Sequence, residues 1–243
     1  MKRRRWGITS EKFLSTDQVS ALVTAMTRER DLAIAREKNV QAIRDYYGVR
    51  VLLESGLRVF EFCALLNGDF NGLKLAVRHG KGDKPRTVLL TRATGNVLRE
   101  WLIVKERLGH DLNPAAPLFP SRYGTIYTTR GVQKRVKLIF KSLGFPEHLS
   151  VHSLRHTNCS MLLASGKVGL ATVRDNLGHH SIAVTNLYAH ASTDLSGVEL
   201  YPAPSAEKAD FSEPGSSRGS KNSNNFVKTF LRKVNFKPGG GSE

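Results

Sequence analysis

The sequence predicts a mainly α-helical fold with a small antiparallel β-sheet, an α+β protein. Apolar residues recur at helical spacing in successive segments of the chain. Two short strand-like runs, residues 73–78 and 85–90, flank a Gly-rich turn, as in a β-hairpin. Glycines at positions 56 and 178 end apolar helical runs, and glycine is the residue that most readily ends a helix.

The first elements are helices at residues 16–26 and 39–54, the first with a polar cap ahead of an amphipathic pattern. The second ends at Gly56. A third helix then opens with Arg58 in its first turn and Glu61 one turn later. The glycine break lets the arginine point out of the packed helices. The hairpin follows and carries Lys81 at its tip.

Beyond the hairpin, the pattern predicts helices at residues 94–109, 128–143 and 151–164, with a short extended piece and turn at 117–124. His152 and Arg155 are three residues apart and share one helix face. The next helix ends at residues 175–178 and leaves His179 on a turn. Ser181 can cap the short helix that carries Tyr188.

Composition favours a nucleic-acid partner, since 37 Lys and Arg against 21 Asp and Glu give a net charge of +16. No apolar run approaches the roughly 20 residues of a membrane span, and no apolar signal core follows the basic start. The two cysteines lack metal-ligand spacing. We expect a cytoplasmic protein with reduced thiols and no metal.

Five motifs occur in order: Gly56-Leu57-Arg58 with Glu61, Gly80-Lys81-Gly82 with Lys84 and Arg86, His152 with Leu154, Arg155 and His156, Leu177-Gly178-His179, and Tyr188. Together they resemble the catalytic domain of the tyrosine recombinase (phage integrase) family, over about residues 13–190. The resemblance implies the fold of that domain and strand cleavage through a 3′-phosphotyrosyl link. It also implies a Holliday junction intermediate, a homo-tetramer on two DNA sites, and chemistry without cofactor or metal.

The residue types suit this chemistry. The transition state at phosphorus carries extra negative charge, which the fixed cations Arg58 and Arg155 can stabilise. Tyr188 is a nucleophile that nearby cations can push toward phenolate. Lys81 suits protonation of the leaving 5′ oxygen. His152 and His179 remain to hydrogen-bond the phosphate or move protons.

Several neighbours have competing interpretations. Lys84 is the rival of Lys81, but its place outside the glycines favours contact with DNA backbone or solvent. Tyr201, beside a proline and outside any helical pattern, is the weaker rival of Tyr188. His156 is read as a structural histidine. Glu61 is read as a partner that orients a cation.

Candidate DNA contacts are Lys84 and Arg86 near the hairpin and Arg130, Lys134 and Arg135 on the basic helix 128–143. This helix can lie along DNA, as the resemblance suggests, or simply present a solvated cationic face.

Four regions are expected: a basic arm at 1–11, a catalytic domain at 12–200, a linker at 201–225 and a basic tail at 226–243. The arm is either a DNA contact or a solvated tail. The C-terminal tail has an apolar stripe and is either a helix docking on a neighbouring subunit or disordered. Few residues precede Arg58, so we expect a minimal form without the upstream clamp domain, similar in plan to fimbrial-switch recombinases. Accessory DNA-bending proteins could compensate.

The predicted function is site-specific DNA recombination by a bacterial or phage protein at the nucleoid. A type IB topoisomerase is the first alternative, since it uses nearly the same residues. A non-catalytic DNA-binding regulator is the second. It is disfavoured because all six active-site positions hold chemically competent residues.

Overall fold

The computed structural model describes residues 12–80 and 84–178, which form helices around one apolar core with a small sheet at one side. Within these residues the helices are α1 (Thr16–Ala35), α2 (Val40–Ser55), α3 (Val59–Cys63), α4 (Arg92–Arg107), α5 (Thr129–Ser142), α6 (Val151–Ala164) and α7 (Leu170–Leu177). The strands are β1 (Phe70–Asn71), β2 (Lys74–Val77) and β3 (Arg86–Leu89). The predicted α+β fold class is confirmed.

Helix α2 is central, because it packs against α1, α4 and α6. Its buried side chains include Tyr47, whose ring packs at a tilt of 36° against Trp101 of α4, with 5.2 Å between ring centroids. Trp101 in turn lies parallel to Phe119, and its indole Nε1 donates to the carbonyl of Leu118 at 2.8 Å. Trp101 is fully buried, and this aromatic group fixes α4 against α2.

The sheet is antiparallel throughout, in the order β1-β2-β3. Leu75 pairs with Val88 and both are fully buried, while the neighbouring pair of Ala76 and Thr87 faces solvent. This alternation turns one face toward the helices. Strand β3 also packs against α7, which brings the hairpin next to the helix that precedes His179.

Helix α1 is longer than the sequence predicted. Helix α1 begins after Ser15, whose hydroxyl accepts from the amide of Gln18, and runs to Ala35 instead of residue 26. The sequence did not indicate this extension, because residues 28–31 are all charged and break the apolar pattern. In the structure the Arg30 guanidinium lies over the Tyr46 ring, 4.1 Å from its centroid, so the charged stretch packs against α2.

In the described part of the chain, no helix is both long and apolar enough to cross a membrane.

Candidate active site

Arg58 lies at the joint between α2 and α3. Gly56 ends α2 with a positive φ of 64°, and Arg58 follows as the N-cap residue of α3. It therefore sits just before the helix and not in its first turn, as the sequence had suggested. The Arg58 amide donates to Glu61 Oε2 at 2.8 Å and its Nη1 to Glu61 Oε1 at 3.0 Å. Its Nη2 reaches the carbonyl of Gly178 at 3.3 Å.

Glu61 is shared between two arginines. Its fully buried carboxylate accepts a two-pronged contact from Arg86, with Nη1 to Oε1 at 2.6 Å and Nη2 to Oε2 at 2.8 Å. Burial alone would raise the pKa of this carboxyl, but the hydrogen bonds from Arg86 and Arg58 outweigh it and lower the pKa. Glu61 therefore remains ionised and orients Arg58, the role expected of it.

Arg155 is the most buried cation of the cluster, with 7% of its surface exposed. From α6 it donates Nη1 to the carbonyl of Gly56 at 2.6 Å and Nη2 to that of Leu177 at 2.5 Å. Desolvation lowers its pKa to about 10, with Arg58 as the next contribution. The guanidinium stays charged at neutral pH and joins the end of α2 to the end of α7.

Asn158, one turn further along α6, holds the same joint. Its Nδ2 donates to the carbonyl of Glu54 at 2.8 Å, and its side chain is completely buried. A Cβ added at Gly56 would lie 2.6 Å from both Asn158 Oδ1 and Leu177 Cδ2. Only glycine fits here, and the close approach places Arg58 beside Arg155.

The end of α7 is fixed from the sheet side as well. Asn176 accepts from the Leu89 amide at 2.6 Å and donates to the Leu89 carbonyl at 3.1 Å, as an added strand would. Gly178 then closes the helix with φ 65°. The predicted end of this helix at a glycine is confirmed. The last residues of α7 are held by Arg58 before α3, by Arg155 of α6 and by strand β3.

His152 lies on α6, whose predicted bounds of 151–164 match the structure. Its side chain is exposed, whereas Arg155, three residues on, is buried beneath it on the same helix. His156 is half-buried, and desolvation followed by the nearby Arg155 lowers its pKa. His156 therefore favours the neutral form, in keeping with a structural histidine.

Three predicted site residues lie outside the described residues: Lys81, His179 and Tyr188. So do Tyr201, the basic arm and the tail stripe. The structure describes the residues immediately before two of them, Gly80 before Lys81 and Gly178 before His179. Arg58 and Arg155 are thus the predicted site residues that the structure brings together, at the end of α7, while His152 is described on the same helix as Arg155.

The predicted DNA contacts divide into two groups. Lys84, Arg130 and Lys134 are exposed, and the last two lie on the α5 face opposite the buried Val132, Val136 and Phe140. Arg135 is instead paired with Asp45, its Nε 3.1 Å from Oδ2.

Arg86 differs most from expectation, because its side chain is only 13% exposed and is committed to Glu61. One local pattern in the sequence indicated this burial. The strand alternation of residues 85–90 was the one available signal, since it places Arg86 on the same face as the buried Val88 and Leu90.

Both cysteines are free thiols, Cys63 buried and Cys159 half-buried, and burial raises the pKa of Cys63 to about 12. No group of three or more His, Cys, Asp or Glu side chains within residues 12–80 and 84–178 could hold a metal ion.

Comparison with known proteins decides the family. The model of the phage integrase family matches residues 12–194, most of the chain. This chain belongs to the phage integrase family. The resemblance inferred from the ordered motifs is confirmed.

Curated relatives of this family member include tyrosine recombinase XerC of Chromohalobacter salexigens, 36% identical over 148 residues, which are 60% of this chain and 48% of the relative. XerC of Thermodesulfovibrio yellowstonii is 30% identical over 195 residues, 78% of this chain and 61% of the relative. The chain spans about half the length of the first of these relatives.

Among solved structures, a crystal structure of XerA recombinase is similar with 27% identity and a TM-score of 0.57, over 74% of this chain and 60% of that one. The Tn1549 transposon integrase in complex with transposon right-end DNA has 21% identity and a TM-score of 0.57, over 78% of this chain and 65% of the integrase. At that identity the second likeness shows the fold alone.

Proposed function

We propose that this chain catalyses site-specific DNA recombination, with Tyr188 as the nucleophile that forms a 3′-phosphotyrosyl link. The observation that carries the proposal is a cluster of three guanidinium groups where the ends of α2 and α7 meet α3. Arg58 and Arg86 donate to the one carboxylate of Glu61, and Arg155 donates to the carbonyls of Gly56 and Leu177. Like charges in a buried cluster destabilise a fold unless an anion compensates them. A scissile phosphate is an anion of suitable size and charge.

Arg155 donates to two carbonyls, and the Arg58 side chain donates to one carbonyl and to Glu61. Further N–H groups remain on each guanidinium, because arginine carries five. Those remaining donors can bind the non-bridging oxygens of a phosphate and stabilise the charge that develops as Tyr188 attacks. His152, exposed at the start of α6, adds a hydrogen-bonding group beside the buried Arg155. His179 is proposed as the second histidine at the phosphate.

Lys81 is proposed as the general acid. The 5′ oxygen of the departing strand is a poor leaving group, so a proton must reach it as the bond to phosphorus breaks. Tyr188 and the DNA then share the ester, and the 5′ hydroxyl of a partner strand attacks it in turn. Two such rounds, through a Holliday junction, exchange the duplexes with no change in the number of phosphodiester bonds.

The DNA partner is supported by the net charge of +16 and by solved relatives that hold DNA substrates. The exposed Arg130 and Lys134 on α5, with Lys84 near the hairpin, are proposed to contact its backbone. A homo-tetramer, accessory DNA-bending proteins and a place at the bacterial nucleoid belong to the same proposal.

The test uses duplexes from the DNA that flanks its own gene, each with a nick placed so that the strand beyond the cleavage point diffuses away. The expected result is a covalent protein–DNA adduct, absent from Tyr188→Phe. An adduct that persists in Tyr188→Phe would show that another residue attacks. Supercoil relaxation without recombinant products would replace recombination with a topoisomerase activity.

The general acid has its own test. Lys81→Ala should cleave slowly on an ordinary duplex and regain its rate when sulfur replaces the bridging 5′ oxygen, because a thiolate, with a thiol pKa of about 8.5, leaves without a proton. Equal rates of Lys81→Ala and the natural chain on the ordinary duplex would contradict the assignment.

A further inference from the structure

Arg86 is the one cation of the cluster that the proposed mechanism leaves without a role. The sequence suggested a DNA contact, yet three of its five N–H donors are occupied by protein acceptors. Two form the fork to Glu61, and Nε donates to the carbonyl of Asn176 at 3.2 Å. An arginine held in this way from strand β3 joins α3 to the end of α7.

The Arg86 side chain also lies close to the two glycines that precede Lys81 and His179 in the sequence. A Cβ added at Gly178 would lie 3.1 Å from Arg86 Cδ and Nε, and one at Gly80 would lie 3.3 Å from Nη1. Gly80 is further held by its amide, which donates to the carbonyl of Lys84 at 3.1 Å. The Arg86 side chain therefore lies against the backbone immediately before Lys81 and immediately before His179.

The charge balance gives Arg86 an electrostatic role as well. Glu61 accepts from both arginines, so the single negative charge is divided between Arg58 and Arg86. Without Arg86, the carboxylate would neutralise Arg58 alone, and less positive charge would be left for a phosphate. With Arg86 present, Glu61 still orients Arg58, while Arg86 balances part of the negative charge of Glu61.

We propose that Arg86 is a positioning residue for strand cleavage: it keeps the charge of Arg58 available to the scissile phosphate and fixes the backbone that leads into Lys81 and His179. This inference rests on the proposed recombinase chemistry. Arg86 acts through other residues and needs no contact with DNA.

The first test compares Arg86→Met with Arg78→Met. Arg78 follows Val77, the cross-strand partner of Arg86, and it also pairs with a carboxylate, that of Asp69 at 2.8 Å, but its side chain is 46% exposed. Both variants remove one positive charge from the same sheet. The measurements are the rate constant of adduct formation at saturating DNA and the DNA concentration that gives half of this rate.

Groups that orient an active-site residue typically contribute about 10- to 100-fold to activity. We therefore expect Arg86→Met to lower the rate constant by about 10- to 100-fold, with a half-saturating concentration no different from that of Arg78→Met. Arg78→Met should cleave within about twofold of the natural chain, as expected for an exposed ion pair. Equal rate constants for the two variants would overturn the inference.

A second variant separates the electrostatic role from mere loss of structure. Glu61→Gln in the Arg86→Met background removes the carboxylate that would neutralise Arg58, so the double variant should cleave faster than Arg86→Met. A purely structural loss predicts the reverse, since two damaged contacts would add. A double variant slower than Arg86→Met would therefore overturn the inference.

Folding is checked by circular dichroism. If Arg86→Met fails to fold, the comparison passes to Arg86→Lys and Arg78→Lys, because lysine keeps the charge but cannot form the fork. The Arg86 variant should then lose up to about 10-fold and the control none. Absence of any adduct from the natural chain would reject the proposed function and the inference with it, whereas adduct formation with matched Arg86 and Arg78 variants would reject the inference alone.

Discussion

Replacing Gly56 by alanine tests whether the joint between α2 and α3 is built around the absence of a side chain. The residue has φ 64°, in the left-handed region, and a Cβ there would meet Asn158 Oδ1 and Leu177 Cδ2, each at 2.6 Å. Asn158 is completely buried and Leu177 is 1% exposed, so neither can move into solvent.

The cost has two parts. A left-handed alanine costs about 1–2 kcal/mol relative to glycine, and crowding two buried side chains costs about 1–3 kcal/mol. The lower entropy of the unfolded alanine chain returns about 0.4–1 kcal/mol. We expect Gly56→Ala to lower the free energy of unfolding by about 2–4 kcal/mol.

Gly72 provides the matched control. It has nearly the same conformation, φ 63°, but apart from Gly72 and its two chain neighbours no heavy atom of the described residues lies within 4 Å of an added Cβ. Gly72→Ala should therefore cost only the backbone part, about 1 kcal/mol. Urea unfolding followed by circular dichroism measures both, with equal m-values as the check that the unfolded state is unchanged. A Gly56→Ala variant no less stable than Gly72→Ala would refute the packing argument.

Three further predictions follow from other contacts. Trp101→Ala should lower the free energy of unfolding by about 3–5 kcal/mol, while Ile103→Ala, at a 39% exposed position of the same helix, should change it by about 0.5 kcal/mol or less; similar losses would contradict the aromatic core. Burial lowers the pKa of Lys105 to about 8 from its usual 10.5, so the folded chain holds fewer protons between these values and stability should rise with pH across them. The free energy of unfolding of Lys105→Met, measured in urea at pH 8 and pH 10, should not show that rise. An equal rise in Lys105→Met and in the natural chain would exclude the lysine as its source. Lys134→Gln should reduce the slope of log DNA affinity against log salt by about 1, and an unchanged slope would leave α5 with a merely solvated cationic face.

Local patterns were sufficient to predict the helix that carries His152 and Arg155, because its cap, apolar spacing and end all lie within residues 150–165. The helix ends at Gly56 and Gly178 could likewise be predicted, since each requires only a residue of left-handed conformation after an apolar run. The hairpin strands were predicted two residues too long at most, which is the usual uncertainty where a ladder frays.

The sequence suggested the residues of the candidate site, but not the contacts among those that the structure describes. Arg86 stood in a basic turn that resembled a DNA-facing surface, and its partner Glu61 lies 25 positions away on another element. An ion pair between a strand and a helix depends on tertiary packing, which no window of the sequence contains. The carbonyls that receive Arg155 were hidden for the same reason.

Arg155 has a consequence for reading related sequences. Because its guanidinium binds the ends of two helices through the Gly56 and Leu177 carbonyls, this arginine would be retained by a descendant that no longer cuts DNA, simply to keep its shape. The presence of this arginine is therefore weak evidence of activity. An Arg155→Ala variant that lost activity could not separate a loss of catalysis from a loss of folded structure. Tyr188, the proposed nucleophile, would be the better marker of a working enzyme, since a fold without chemistry has no use for a nucleophile.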